Sequence, residues 1–574
     1  MTIEAGYVPE AFPRRWLAEG VSLKTWEEIE PWYRKLLERA IGSTEELEGW
    51  LEDTGELNAA VGQEGVRRYV AMTCQTDDEE REKAHLEFVR EIEPKLKPVF
   101  HALREKYLDS PYRRGLPVER YQVYDRAQEN RRALYREANI ARETELAEVE
   151  QQYQKAIGAM TVQFRGEERT PAQMGPFLEE TDRGVRQEAW ELVAERRLAD
   201  KDALDGLFDR MVKLRVEVAK EAGFGDYVAY AYKLRERFDY GQKEAQAFRD
   251  AVEKVVAPLA LKLQEERKKA LGVKTLRPWD LAVDPLGRAP LTPFENVAQL
   301  AERTETIFRG VDPELGAQFH YLRTNDLLDL ANRKGKAPGG YQTTYEDDRL
   351  PFIFMNAVGL DGDLRTLLHE GGHAFHALAA RGETIAAYRE SPIEFCEVAS
   401  MSMELLGARE LGEFYGEEDS SRSYRQLLEG IVLILPWIAT VDAFQHWIYS
   451  NPEHSRDERR GAWNALLDRF GGIVDWSGLE EARSNSWHRQ LHIFLYPFYY
   501  IEYGIAQLGA LEIWRKSLED RAGAVAGYRR GLALGGSRPL PELFEAAGIP
   551  FGFEEGVIRR LMETVGGELG KLAI

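Results

Sequence analysis

Thr366-Leu367-Leu368-His369-Glu370-Gly371-Gly372-His373-Ala374-Phe375-His376 combines an apolar face with a set of metal-binding side chains. Leu364, Leu367, Leu368, Phe375 and Leu378 recur at helical spacing, and Asp361 or Asp363 can cap the helix start. His369 and His373 are four residues apart, so they stack one turn apart on one side of that helix. Two imidazoles placed in this way can both reach one Zn²⁺ at about 2.0–2.1 Å. Glu370 follows the first histidine, where its carboxylate can reach a metal-bound water without displacing it; this is the H-E-x-x-H pattern of zinc peptidases. Gly371 and Gly372 each cost about 1 kcal/mol relative to alanine inside a helix. Either a close-packed neighbour or an approaching substrate must need the missing side chains.

A catalytic zinc requires a third protein ligand and an open fourth position. A metzincin would carry histidine at position 379, where this chain has Ala379. His376 lies near the ligand face, but a hydrogen bond within the helix packing is its more natural use. The acidic candidates downstream are Glu390, Glu394, Glu397 and Glu404. Ser391-Pro392-Ile393-Glu394 reads as a helix start, with Ser391 as N-cap and Glu394 closing a capping box. Glu397 is then free to point at the metal from a second helix. Glu404, two turns beyond it on the same face, can orient a ligand.

The remainder of the 574-residue, 65.6 kDa chain limits the alternatives. Its length suggests about four domain-sized units or fewer large ones, and 44% hydrophobic with 30% charged residues is a globular composition. A net charge of −22 without a basic patch argues against a nucleic-acid partner. Cys74 and Cys396 belong to no C-x-x-C pair, which excludes a disulfide framework and zinc ribbons. Glu4, Glu10, Arg14 and Arg15 argue against a signal peptide. The apolar run Ile431 to Val441 is broken by Pro436 and too short to span a bilayer. A cytoplasmic protein without a membrane partner is expected.

Helical periodicity dominates, as in Trp26, Ile29, Trp32, Tyr33, Leu36, Leu37 and Ala40, so the fold class is mainly α. Ser43 with Glu46 opens a helix, another bends at Pro94 and Pro98, and a charged helix is predicted from about Gln128 to Ile157. Met160 to Phe164 is strand-like. Gly339-Gly340-Tyr341 and Phe352 to Asn356 read as edge strands to which an extended peptide can add through main-chain hydrogen bonds. Tyr496, Tyr500 and Tyr503 fall on one stripe of a helix that Pro497 opens; taken alone, such a stripe is more often core than active site. An N-terminal helical lobe over 1–200 and a catalytic metallopeptidase region over 201–574 are expected.

His369-Glu370-Gly371-Gly372-His373 with Phe395-Cys396-Glu397-Val398-Ala399-Ser400 resembles the thimet oligopeptidase family of zinc metallopeptidases, and more nearly its bacterial oligoendopeptidase F branch. Lys336 to Tyr341, Pro351 to Asn356, Phe444 to Tyr449, His492-Ile493-Phe494 and Pro497 to Gly504 also look like family segments. The likeness runs from about Thr161 to the C-terminus. It implies a two-lobed helical clamshell with a small β-sheet beside a deep active-site channel, around an H-E-x-x-H plus Glu (gluzincin-like) core. It further implies one Zn²⁺ per chain held by His369, His373 and Glu397, in agreement with the capping argument. By the same resemblance His492, Tyr496 and Tyr503 hydrogen-bond the substrate and the developing oxyanion, and Tyr500 matches another aromatic position. The gap between His492 and Tyr496 is one residue shorter than in thimet oligopeptidase itself.

The function expected is hydrolysis of internal bonds in short unstructured peptides by zinc-bound water, activated by Glu370. Gly340, Tyr341 and Tyr500 are the expected substrate-binding residues. A zinc carboxypeptidase of the helical H-E-x-x-H type is the first alternative, and a non-catalytic peptide-binding protein the second. Oligomeric state is left open by the sequence.

Overall fold

The computed structural model describes residues 7–572. Helices dominate, with five short strands among the described residues. By proximity the chain divides into two compact units. The first comprises residues up to 132, 291–423 and 506–551; the second comprises 133–290, 424–505 and those from 552 onward.

In the first unit, helix Trp26–Glu38 buries Ile29, Tyr33 and Leu36, the face its periodicity predicts. Helix Thr44–Cys74 is capped by the Ser43 hydroxyl, which accepts from the Glu46 N–H at 3.2 Å. The bend expected at Pro94 takes a specific form. Helix Glu79–Glu87 widens into a π-turn over Phe88–Ile92 and resumes as Glu93–Leu108. Proline donates no N–H and its ring crowds the preceding turn, so the helix loosens just ahead of it. The second unit repeats the device, with a π-turn at Val252–Val256 ahead of Pro258.

Three strands of the first unit form a sheet in the order Leu328–Ala331, Leu350–Ala357, Tyr341–Tyr345. The outer strand Tyr341–Tyr345 pairs antiparallel with Leu350–Ala357, Tyr341 opposite Phe354 and Tyr345 opposite Leu350. Strand Leu350–Ala357 is therefore central rather than an edge. Its nearly continuous burial from Phe352 to Met355 fits that position, since a strand covered on both faces has no need of alternation.

In the second unit, Val162–Phe164 and Glu167–Arg169 form a hairpin around Arg165 and Gly166, both at positive φ. The single helix expected over 128–157 is broken. Helix Val118–Leu134 ends, Arg136 is extended, and a new helix runs Ile140–Gly158. Charged periodicity continues across the break because both helices present solvated faces, and it carries no sign of the turn. Pro436 likewise fails to end its helix, which runs Glu417–Ser450. This helix is long and apolar enough to cross a membrane, yet 67% of its most apolar window is buried inside the protein. The core of the unit gathers Phe208, Met211, Phe444, Trp463, Trp487 and Phe494.

Candidate metal centre and active site

Helix Asp361–Ala380 carries the H-E-x-x-H motif in the first unit. Of the two candidate caps, Asp363 does the work: its Oδ2 accepts from the N–H groups of Val358, Gly359 and Leu360 at 2.8, 2.8 and 2.9 Å. Asp361 instead accepts from the Tyr415 and Ser423 hydroxyls. Leu364, Leu367, Leu368, Phe375 and Leu378 are all buried, as the apolar face requires.

The two glycines have separate reasons. A Cβ on Gly371 would lie 2.4 Å from the Phe308 ring, and one on Gly372 would lie 2.6 Å from Ala399 O and Ser400 Cα. Gly372 thus lets helix Ile393–Gly407 cross in backbone contact, and that crossing brings Glu397 to the histidines. The second helix starts differently from expectation. Pro392 is its N-cap and Ser391 does not cap it. The Ser391 hydroxyl is bonded instead to His376 Nε2 at 2.9 Å, which gives His376 the structural use foreseen for it.

His369, His373 and Glu397 converge, with ligand-type atoms all within 4.8 Å of one another. Glu397 Oε2 lies 3.3 Å from His369 Nε2 and 3.7 Å from His373 Nε2. The opposite nitrogen of His369, Nδ1, is bonded to Glu404 Oε1 at 2.7 Å, so Nε2 is the atom turned to the cluster. The Ser400 hydroxyl donates to Glu397 Oε2 at 2.9 Å and fixes that carboxylate.

The electrostatics suit a cation. Although burial opposes charge on His369, hydrogen bonds to Glu397 and Glu404 hold it well above its ordinary range, so positive charge is favoured where the nitrogens meet. Burial pushes His373 down to about 4, keeping it neutral near pH 7, the form that ligates metal. Two imidazoles and one carboxylate, with a carboxylate behind the first imidazole, match the donor set and outer support of a catalytic Zn²⁺. Glu370 is 8% exposed, and burial pushes its carboxyl up to about 7. It accepts a hydrogen bond from the backbone of Gln342, on the outer strand.

Tyr341 begins that strand and Gly340 immediately precedes it. The Tyr341 ring stacks on Phe354 at 4.8 Å and its hydroxyl is 2.7 Å from Thr73 Oγ1, so the side chain is committed to packing.

The remaining predicted residues form a cluster in the second unit. Their single helical stripe is not observed. Helix Leu491–Leu495 carries His492, Tyr496 follows it, and helix Tyr500–Glu519 starts only at Tyr500. Pro497 and Phe498, the latter at φ +64°, interrupt the helix. The cluster survives this break. The His492 ring lies 6.1, 5.0 and 5.8 Å from those of Tyr496, Tyr500 and Tyr503, centroid to centroid.

Gln490, which sequence reasoning missed, sets the state of that imidazole. Trp437 Nε1 can only donate, and it does so to Gln490 Oε1 at 3.1 Å. The Gln490 amide nitrogen therefore faces His492 Nδ1, at 2.8 Å, and donates to it. Burial pushes His492 down to about 4, so the neutral ring carries its proton on Nε2 and presents an N–H donor. No periodicity marks a glutamine two residues from a histidine.

Two histidines and a glutamate converging from crossed helices, with a buried glutamate beside them, are the arrangement of the H-E-x-x-H class of metallopeptidases. Comparison with known proteins leads to a family. The model described as Peptidase family M3 matches residues 177–563, and the Peptidase M3 N-terminal domain matches residues 22–134. Among solved structures, PZ peptidase A with an inhibitor is 30% identical with a TM-score of 0.88, covering 95% of this chain and 97% of that one. A protein described as an oligoendopeptidase F from Bacillus anthracis strain Ames is 28% identical with a TM-score of 0.84, covering 97% and 99%. Oligopeptidase PepF of Bacillus subtilis is 24% identical over 257 residues, which span 43% of this chain and 38% of that protein. The chain belongs to peptidase family M3, whose members are metallopeptidases.

Proposed function

We propose that the protein is a zinc-dependent oligoendopeptidase that hydrolyses internal bonds of short, unstructured peptides. The observation that carries this reading is the convergence of His369, His373 and Glu397 beside a buried Glu370. These three residues would hold one Zn²⁺, which when bound supplies Lewis acidity toward water and the scissile carbonyl. Glu370 takes a proton from the attacking water and returns it to the leaving amine, and its place beside the three ligand residues suits both steps. An extended peptide adds to the outer strand at Gly340 and Tyr341, whose neighbour Gln342 is bonded to the Glu370 carboxylate. The Nε2–H of His492 and the phenols of Tyr496 and Tyr503 donate to the substrate and to the developing oxyanion, with Tyr500 beside them.

All of these residues fall within 201–574, which we take as the catalytic region, with 1–200 as a mainly helical N-terminal region divided between the two compact units. The acidic charge balance favours peptides over nucleic acid, and we place the protein in the cytoplasm, away from membranes.

The test is Glu370→Gln, assayed on an internally quenched peptide blocked at both ends. Wild type cuts an internal bond. The variant retains about one Zn²⁺ per chain by elemental analysis and loses activity by roughly 10²-fold or more. Turnover near the wild-type rate in the variant would reject the mechanism. Cleavage only of peptides with a free C-terminus would point to a carboxypeptidase.

A further inference from the structure

Within the second unit lies a cavity of about 300 Å³ that the chemistry above does not use. Its walls are largely apolar and include Leu263, Leu433, Pro436, Trp437, Phe470 and Trp476. Leu433 is 42% exposed, so the apolar surface continues to the mouth.

The polar groups in it are unevenly matched. Four arginines line the cavity, and three are engaged. Arg267 donates to the Asp280 and Val283 carbonyls, and Arg483 to Asp468 at 2.6 Å. Arg425 pairs with Glu429 at 2.6 Å and Glu266 at 3.3 Å, which occupies both carboxylates of the lining. Arg489 is the exception. Its guanidinium lies 5.3 Å from the Trp437 ring centroid, and among the described residues it has no carboxylate or carbonyl partner. Among the described residues Arg197 likewise has no carboxylate or carbonyl partner, and burial followed by repulsion from Arg489 pulls it down to about 10. Arg489, exposed at the edge of an apolar cavity with a second guanidinium nearby and no anion of its own, favours a ligand that brings one.

The cavity shares a wall with the cluster around His492. Trp437 is both its lining and the donor to Gln490, which in turn bonds His492. The Tyr500 hydroxyl is hydrogen-bonded to the same Trp437 and Gln490 side chains.

We propose that this cavity is a specificity subsite for a substrate residue that carries a carboxylate beside an apolar surface, with Arg489 binding the carboxylate. The inference rests on the reading of His492 and Tyr500 as substrate-facing residues. The carboxylate comes either from the free C-terminus of a short peptide or from an internal Asp or Glu next to an apolar residue.

Two pairs of quenched peptides separate these sources. One pair ends in phenylalanine as free acid or amide; the other is amidated and differs by an internal Glu or Gln beside leucine. For wild type, the carboxylate member of one pair should have kcat/KM roughly tenfold above its neutral partner, chiefly through KM. That ratio should fall to about 1 in Arg489→Gln and largely persist in Arg489→Lys. A ratio near 1 for both pairs in wild type, or an unchanged ratio in Arg489→Gln, overturns the proposal. Calorimetric binding of N-acetylphenylalanine and of its amide tests the cavity apart from hydrolysis. The acid should bind roughly tenfold tighter to wild type and no tighter to Arg489→Gln, whereas equal binding to wild type counts against the subsite. Absence of any peptide cleavage would sink the proposed function and leave this binding result to stand alone.

Discussion

Two imidazoles, His369 and His492, are each fixed through one ring nitrogen, which leaves the other free to face outward. His369 gives Nδ1 to Glu404, and His492 gives Nδ1 to Gln490, whose own orientation is set by Trp437. The carboxylate behind His369 raises the basicity of the ring and removes a rotational freedom that ligation would otherwise have to overcome. Glu404→Ala should therefore weaken zinc binding by roughly 10- to 100-fold while leaving the three ligands in place. Competition with a chromophoric chelator measures this directly. An affinity equal to wild type would mean that the 2.7 Å bond does not support the ligand.

At the scale of elements, the decisive event is the crossing of helices Asp361–Ala380 and Ile393–Gly407. Helix propensity favours alanine over glycine by about 1 kcal/mol, so a Gly→Ala change that destabilises isolates the packing effect. At Gly372 the new methyl would meet backbone at 2.6 Å, which moves only if the helices separate. Gly372→Ala should cost about 1–3 kcal/mol and lower zinc occupancy. Gly461, in helix Arg456–Phe470 with nothing within 4 Å of its added Cβ, is the control, and Gly461→Ala should stabilise by about 0.5–1 kcal/mol. Urea denaturation of both variants checks the pair; equal signs would refute the packing account. The motif helix was legible in the sequence because two periodicities coincide there, apolar residues on one face and histidines on another. The cost of two adjacent glycines announced that either a close neighbour or a substrate needs the missing side chains, and the structure supplies the neighbour. The start of the second helix was misread, because Ser391 has the chemistry of an N-cap but finds a better partner in buried His376. The aromatic stripe was misread for a related reason: spacing i, i+4, i+7 describes a helix only if the backbone continues, and Pro497 with Phe498 at positive φ stops it.

Over the whole molecule, each unit is assembled from separated stretches of chain, and several boundaries fall inside helices such as Val118–Leu134 and Glu417–Ser450. A linear reading has little access to such an arrangement, because periodicity reports that a face is buried and not which distant stretch covers it. Gln490 and Arg489 escaped for the same reason, since their meaning lies in Trp437, some fifty positions earlier in the chain. Burial on this scale has a consequence for acid stability. Away from the metal centre, burial holds His85, His446, His454, His488 and His492 below the ordinary histidine range. His446 illustrates the sign. Burial pushes it down to about 4, despite Asp442 and with help from Arg249 and Arg237, while Tyr232 is bonded to its Nε2 at 3.2 Å. Between pH 6.5 and about 4 the unfolded chain binds a proton at this position that the folded chain refuses, so stability falls as pH falls through that window. The contribution is at most about 3 kcal/mol by pH 4. Urea denaturation across pH 7 to 4.5 should show falling stability in wild type and a shallower fall in His446→Gln, which has no proton to refuse. Parallel curves for the two proteins would show that His446 is not a source of the acid sensitivity.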